Sequence, residues 1–243
     1  MKVTILNETT LNPISKIGEY SGICWGSDTS DLAKNYKRGL NCLKANHGRV
    51  LEYVDIEMCI EGISARLARE FYTHIGGAPT RLQESTRYVD CTDFDYVIPV
   101  SIRGENSENV YVNRMELIAS AIGRLEGAGV KREDAAMLLP LGMHTKIVDK
   151  RNLRNLIEMF HQRLCVRAYW EYRDLMKLIK EELSKLSEEW RYIAEHYFVP
   201  KCEYFGWCPE VKGCKKYPTK EEQEKYIKEL EEKVRELKNE QTV

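Results

Sequence analysis

The chain has 243 residues, 43% of them hydrophobic, enough for one sizeable core or a core with a small appendage. Its 37 Lys and Arg against 38 Asp and Glu leave a formal net charge of -1, which excludes a broad electrostatic footprint for nucleic acid. The first twenty residues lack a leader pattern and no run approaches about 18 apolar residues, so the composition predicts a soluble, cytoplasmic protein with no membrane partner.

Residues 3–6 read as an opening strand. Residues 30–45 place Leu32, Tyr36, Leu40 and Leu43 at helical spacing. Residues 54–61 alternate between an apolar and a mostly acidic face, the pattern of a half-buried strand closed by Gly62. Ser64 stands as N-cap of a helix over 65–74, with Leu67 and Phe71 inward. The run Gly76-Gly77-Ala78-Pro79 breaks that helix, and 87–90 and 96–100 read as strands about a polar turn.

From Asn113 onward the pattern reads as almost wholly helical. Met115, Ile118, Ile122 and Leu125 share one face, and a short helix over 132–139 stops at Pro140. Residues 152–183 form a long helical region, one element or two, with Leu156, Phe160, Leu164, Leu175 and Ile179 along it. The basic run 146–154 reads as a solvated helix face. Within the long region, Trp170 and Glu171 read as core packing plus a satisfied carboxylate. Strands early and helices late predict an α+β fold: a mixed sheet from the N-terminal half, packed by a long C-terminal helical region. A main domain over 1–197, a Cys/Pro/Gly-rich knuckle over 198–219 and an amphipathic helix over 220–243 follow, the last with Ile227, Leu230, Val234 and Leu237 at a/d spacing.

The stretch 69–88, REFYTHIGGAPTRLQESTRY, carries the most chemistry. A helix delivers His74 into a Gly-rich turn, followed by a loop with hydroxyls and two arginines. Small residues let a ligand approach the backbone, and free amides there meet phosphate oxygens. Arg81 and Arg87 offer planar forks matched to phosphate, and Ser85 and Thr80 offer hydroxyls. The same residues also suit a plain glycine turn with surface arginines and a satisfied histidine.

The stretch resembles the signature of flavin-dependent thymidylate synthases, R-H-R, a short spacer, then S-x-R-Y. Here it reads Thr73-His74-Ile75, a spacer about two residues longer, and Ser85-Thr86-Arg87-Tyr88. Three further blocks are similar to the family in the same order. They are Val50-Leu51-Glu52-Tyr53, the run from Val130 through Leu139-Pro140 to Asn152-Leu153-Arg154, and Phe160-His161-Gln162-Arg163 followed by Ala168-Tyr169-Trp170-Glu171. The resemblance covers roughly residues 1–185. It implies reductive methylation of dUMP, with methylenetetrahydrofolate as carbon donor, FAD as the flavin and NADPH as reductant, in a homotetramer. It further implies that Ser85 and Arg87, with Gln83 and Arg81 beside them, bind dUMP. His74, Asn152 and Arg154 would contact FAD, and Arg163 would hold the uracil ring and stabilise its developing charge. Departures at Thr73, Ile75, Ala136 and Tyr53, and at Gln83, remove three cations and an acid. Arg81, Lys146, Lys150 and Arg151 are the replacements on offer, and Arg81 is expected to take over part of the phosphate binding. The departures keep two competing readings: one-carbon transfer as hydroxymethyl or to another pyrimidine nucleotide, and a non-catalytic oligomeric scaffold with a metal-bound tail.

Cys24, Cys42, Cys59, Cys91 and Cys165 are scattered and read as reduced core residues. His196, Cys202, Cys208 and Cys214 recur at an even spacing of six. One His and three thiolates form a possible structural zinc set, although the usual C-x₂₋₄-C spacing is missing.

Overall fold

A computed structural model describes residues 1–240, with side chains of its last helix as far as Arg235; Leu237 falls outside the described side chains. In chain order come β1 (Lys2–Ile5), α1 (Pro13–Cys24), α2 (Leu32–Lys44), α3 (Gly48–Leu51), β2 (Asp55–Ser64), α4 (Ala65–Phe71) and β3 (Thr80–Gln83). Then follow α5 (Glu105–Gly127), α6 (Arg132–Ala135), β4 (His144–Asn152), α7 (Leu153–Arg163) and α8 (Trp170–Ser184). The chain ends in α9 (Glu188–His196), α10 (Lys201–Phe205) and α11 (Lys220–Glu240).

The α+β class holds, but the sheet is antiparallel throughout rather than mixed, in the order β1-β2-β4-β3. Strand β2 runs on through Gly62, where its register with β4 shifts. Its inward Ile56, Met58 and Ile60 are fully buried beneath α7 and α8. The outer face is laced by cross-strand pairs: Lys150 meets Glu57 at 2.7 Å and Lys146 meets Glu61 at 2.8 Å. The run expected to be a helix face is therefore β4, one of the two inner strands. Its inward series is Thr145, Ile147, Asp149 and Arg151, only one of them apolar, so the period-2 signal is masked. A second difference lies nearby. Residues 80–83 pair with β4, whereas 87–90 form a turn and Tyr96 contributes only an isolated bridge to Met143.

Several local expectations are met. Ser64 Oγ accepts from the Leu67 amide at 3.0 Å and caps α4. Glu171 is buried at the start of α8, where its carboxylate accepts from the Ser64 amide at 2.7 Å and from the Ser64 and Tyr169 hydroxyls. That ties α8 to the β2–α4 junction. The helical region 152–183 divides into α7 and α8.

The core continues past the expected boundary at residue 197. Phe198 is fully buried and stacks on Phe160 with ring centroids 4.0 Å apart. Trp190 on α9 is buried and donates from Nε1 to the Thr10 carbonyl at 2.8 Å. Glu189 accepts from the Ile14 and Ser15 amides, a carboxylate at the start of α1.

Helices α1 and α2 cross through Gly18 and Gly39. A Cβ on Gly18 would stand 1.7 Å from the Asn35 carbonyl oxygen. We expect Gly18→Ala to force the pair apart and to destabilise by about 3 kcal/mol, read as a lowered urea midpoint; an unchanged midpoint would refute the close crossing.

Candidate active site

Helix α4, the turn after it, β4 and the C-terminal half of α7 converge on His74. The His74 side chain is buried, and its Nε2 accepts from Arg163 Nε at 2.9 Å. Arg81 donates to the His74 and Tyr72 carbonyls. Arg151, fully buried, donates to both oxygens of Asp149, to Asn155 Oδ1 at 2.7 Å and to the Met159 sulfur. Arg81 Nε stands 3.4 Å from Asp149 Oδ1, close enough for charge attraction but off the hydrogen-bonding direction. Burial, then the positive charges of Arg163, Arg151 and Arg81, push the His74 pKa down to about 4. The ring is therefore neutral near pH 7, with its proton on Nδ1 and a free pair on Nε2 for Arg163.

Arg163 is thereby aimed. Its guanidinium lies 4.6 Å over the Tyr172 ring and its Nη1 is 3.5 Å from Glu70. Arg163 also lines a cavity of about 580 Å³. Tyr172 is buried edge-on to His74, and its hydroxyl has no partner among the described residues.

The glycine turn joins this cluster from the outside. Asn152 Oδ1 accepts from the Asn155 amide, and its Nδ2 donates to the Gly77 carbonyl at 3.3 Å. Gly77 has φ +73°, and a Cβ there would lie 2.3 Å from Asn152 Nδ2, so only glycine admits the contact. The exposed Gly76 and Gly77 amides donate to no group among the described residues.

Other members of the expected site are engaged in contacts of their own. Arg87 is exposed and paired with Glu133 at 2.8 Å, and Ser85 Oγ accepts only from the Arg87 amide. No bond or ion pair links Arg163 with Ser85 or Arg87 among the described residues. Arg154 pairs with Glu52 at 2.7 Å and stands 3.8 Å from Glu158. Gln83 donates to Thr145 Oγ1 at 3.3 Å. Arg81 is also corrected: buried and committed to Asp149 and two carbonyls, it has no fork free for phosphate in this arrangement. Lys146 and Lys150 are spent on the outer sheet face, and Arg151 is buried.

The proposed zinc set is corrected too. His196 stacks on Tyr192 and its Nδ1 lies 2.9 Å from the Tyr192 carbonyl. Among the described residues, no three His, Cys, Asp or Glu side chains are arranged to hold a metal ion. All eight cysteines are free; Cys42 and Cys91 are buried, while Cys24 is exposed. Sequence reasoning missed the Asp149–Arg151 pair and Tyr172. The one signal for the pair is the alternation along β4, hidden by its polar inward positions.

Two outcomes test this cluster. Asp149→Asn leaves Arg151 buried without its counter-charge, and the expected loss is about 3–5 kcal/mol in chemical denaturation. For pH, the His74 pKa is lower folded than unfolded, so between about 6.5 and 4 the unfolded chain takes the proton first. Stability should fall on acidification through that window, and His74→Asn should fall less steeply; parallel slopes would refute the buried neutral ring.

Comparison with known proteins follows this geometry. The family described as "Thymidylate synthase complementing protein" matches residues 6–187. A flavin-dependent thymidylate synthase from Pyrococcus furiosus is 32% identical over 190 residues, covering 74% of each chain. One from Nitratidesulfovibrio vulgaris is 31% identical over 194 residues, covering 74% of this chain and 75% of its own. Among solved structures, thymidylate synthase X from Helicobacter pylori, determined with FAD and dUMP, superposes with a TM-score of 0.66 at 19% identity, over 82% of this chain and 99% of that one. A UMP/dUMP methylase from Streptomyces cacaoi superposes with a TM-score of 0.65 at 16% identity, over 82% and 96%. At such identities these two likenesses establish the fold.

Proposed function

From the premise that the chain belongs to the flavin-dependent thymidylate synthase family, we propose that it converts dUMP to dTMP, with FAD bound, methylenetetrahydrofolate as carbon donor and NADPH as reductant. The observation that carries the reading is Arg163, a permanent cation held by a neutral His74 and stacked on Tyr172 beside an open cavity.

Bound FAD supplies the hydride for this chemistry. The residues present fit the group at the glycine turn, where two exposed amides without partners suit a diphosphate. Asn152 shapes that turn, and half-exposed Arg154 offers a cation outside it. Negative charge develops on the uracil ring as carbon is transferred to it, and a guanidinium fixed in advance stabilises that charge without reorganising. A guanidinium in this place acts as a charge and not as a base. Its Nε is engaged by His74 and its Nη1 lies near Glu70, which leaves Nη2 for the ring.

Ser85 and Arg87 would bind the nucleotide phosphate across a contact between copies of the chain. Two features support self-association. Helix α5 has 23 residues but buries only Met115 and Ile122, while Val110 and Leu117 stay exposed. Ile75, Leu82 and Tyr88 beside the glycine turn are each at least 70% exposed, a large apolar area to leave in water. A homotetramer is the assembly this reading expects.

Anaerobic incubation with dUMP, methylenetetrahydrofolate, FAD and NADPH should yield a nucleotide heavier by one methyl group in mass spectrometry. A hydroxymethyl product, or turnover of UMP alone, would replace this reading with the competing one-carbon transfer. Arg87→Ala should raise the KM for dUMP by about 10- to 100-fold with a smaller change in kcat; an unchanged KM would remove Arg87 from the phosphate site.

A further inference from the structure

The irregular segment between α10 and α11 walls one side of the cavity of about 580 Å³ that Arg163 lines. The loop after α7 walls another, with Val166 and Arg167. The segment lies beyond the residues matched to the family, and its composition departs from that of the chain as a whole. Residues 201–220 carry five lysines against two glutamates, in a chain whose formal net charge is -1.

Four cations line the cavity, Arg163, Arg167, Lys201 and Lys216, against the single carboxylate of Glu210. That carboxylate is already matched. Arg167 pairs with Glu210 at 3.0 Å and donates to the Lys212 carbonyl at 3.0 Å, exposed contacts that fasten the segment only weakly. Lys201 and Lys216 make no ion pair or side-chain hydrogen bond among the described residues; Lys201 Nζ lies 5.9 Å over the Phe205 ring. The lining is therefore positive overall, with two ammonium groups uncommitted.

The wall also holds a polar group without a mate. His161 lines the cavity, and its buried Nε2 has no hydrogen-bond partner among the described residues. Burial, then the charge of Lys201, pushes the His161 pKa down to about 4, so the ring is neutral near pH 7. It offers a hydrogen bond without adding charge. Leu164, Val166, Pro209 and Tyr217 supply apolar lining beside these groups. Such a space suits an elongated ligand that is partly apolar and anionic at intervals.

In the reaction proposed above, on which this inference rests, the carbon donor brings its methylene to the uracil ring at Arg163. Its aminobenzoyl-glutamate tail leads away from that ring, and each further γ-linked glutamate adds one carboxylate. We infer that this cavity binds the glutamyl tail of the folate donor, with Arg167, Lys201 and Lys216 meeting its carboxylates and favouring donors that carry several glutamates. Exposed charge pairs are individually weak, so the preference comes from summing them along one tail, and salt reduces it.

The test is equilibrium binding of anaerobic tetrahydrofolate, with one or three glutamates, to the full-length, FAD-loaded chain in the presence of dUMP; it needs no turnover. The triglutamate should bind about tenfold more tightly than the monoglutamate at low salt, and the ratio should shrink at high salt. Lys201→Gln and Lys216→Gln combined in one chain should remove most of the preference. Lys37→Gln, a matched loss of charge at an exposed position on α2, should keep it. Cys214 is exposed and lines the same cavity, which gives a readout that needs no variant to fold. The triglutamate should slow its alkylation severalfold and leave exposed Cys24 unaffected. Equal affinity for one and three glutamates, a preference retained in the double variant, or unslowed alkylation of Cys214 would each overturn the inference. A double variant that weakens dUMP and not the triglutamate would also overturn it and make the cavity a phosphate site. A glutamate preference without methyl transfer would uphold the site and remove the reaction, whereas methyl transfer without a preference would remove the site alone.

Discussion

Asp149 is fully buried, and the geometry around His74 depends on its charge. Taking a carboxylate and a guanidinium out of water costs several kcal/mol per ion, and only close pairing with further hydrogen bonds offsets that cost. Asp149 and Arg151 meet the condition through two bonds to each other and further contacts from Arg151 to Asn155 and Met159. Arg81 adds a second cation beside the same carboxylate and caps the carbonyls at the end of α4. Two arginines thus sit within the interior close to His74, and a third, Arg163, faces it from α7. A histidine so surrounded cannot afford a proton, and its neutrality is what makes it an acceptor for Arg163.

This arrangement bears on the cations missing from the family's R-H-R triplet. Positions 73 and 75 carry Thr and Ile, yet the histidine between them still has guanidinium groups around it, delivered from β3, β4 and α7. They serve a different purpose from surface arginines. Arg81 holds the backbone of His74 and Arg163 its ring, while Arg151 anchors the Asp149 carboxylate beside them. Ser85 and Arg87 stand on an exposed loop with no tie to Arg163. A site divided in this way agrees with a chain that leaves long apolar surfaces uncovered on α5 and near the turn.

The tail extends the same theme of elements that are incomplete alone. Its apolar content is too small to bury, and its visible fastenings are exposed.

Residue order alone determined a good deal. The α+β class, the capped start of α4 at Ser64, the inward Leu67 and Phe71, the satisfied Glu171 and the family itself were legible, because each is written in local spacing or short blocks. Tertiary structure alone decided the rest: that Arg81 turns inward to Asp149 and that 144–152 is an inner strand and not a helix face. The physical reason is common to both. A buried ion pair or a polar inward row looks, in one dimension, like a solvated basic run, since burial of charge becomes favourable only once the partner arrives from elsewhere in the chain.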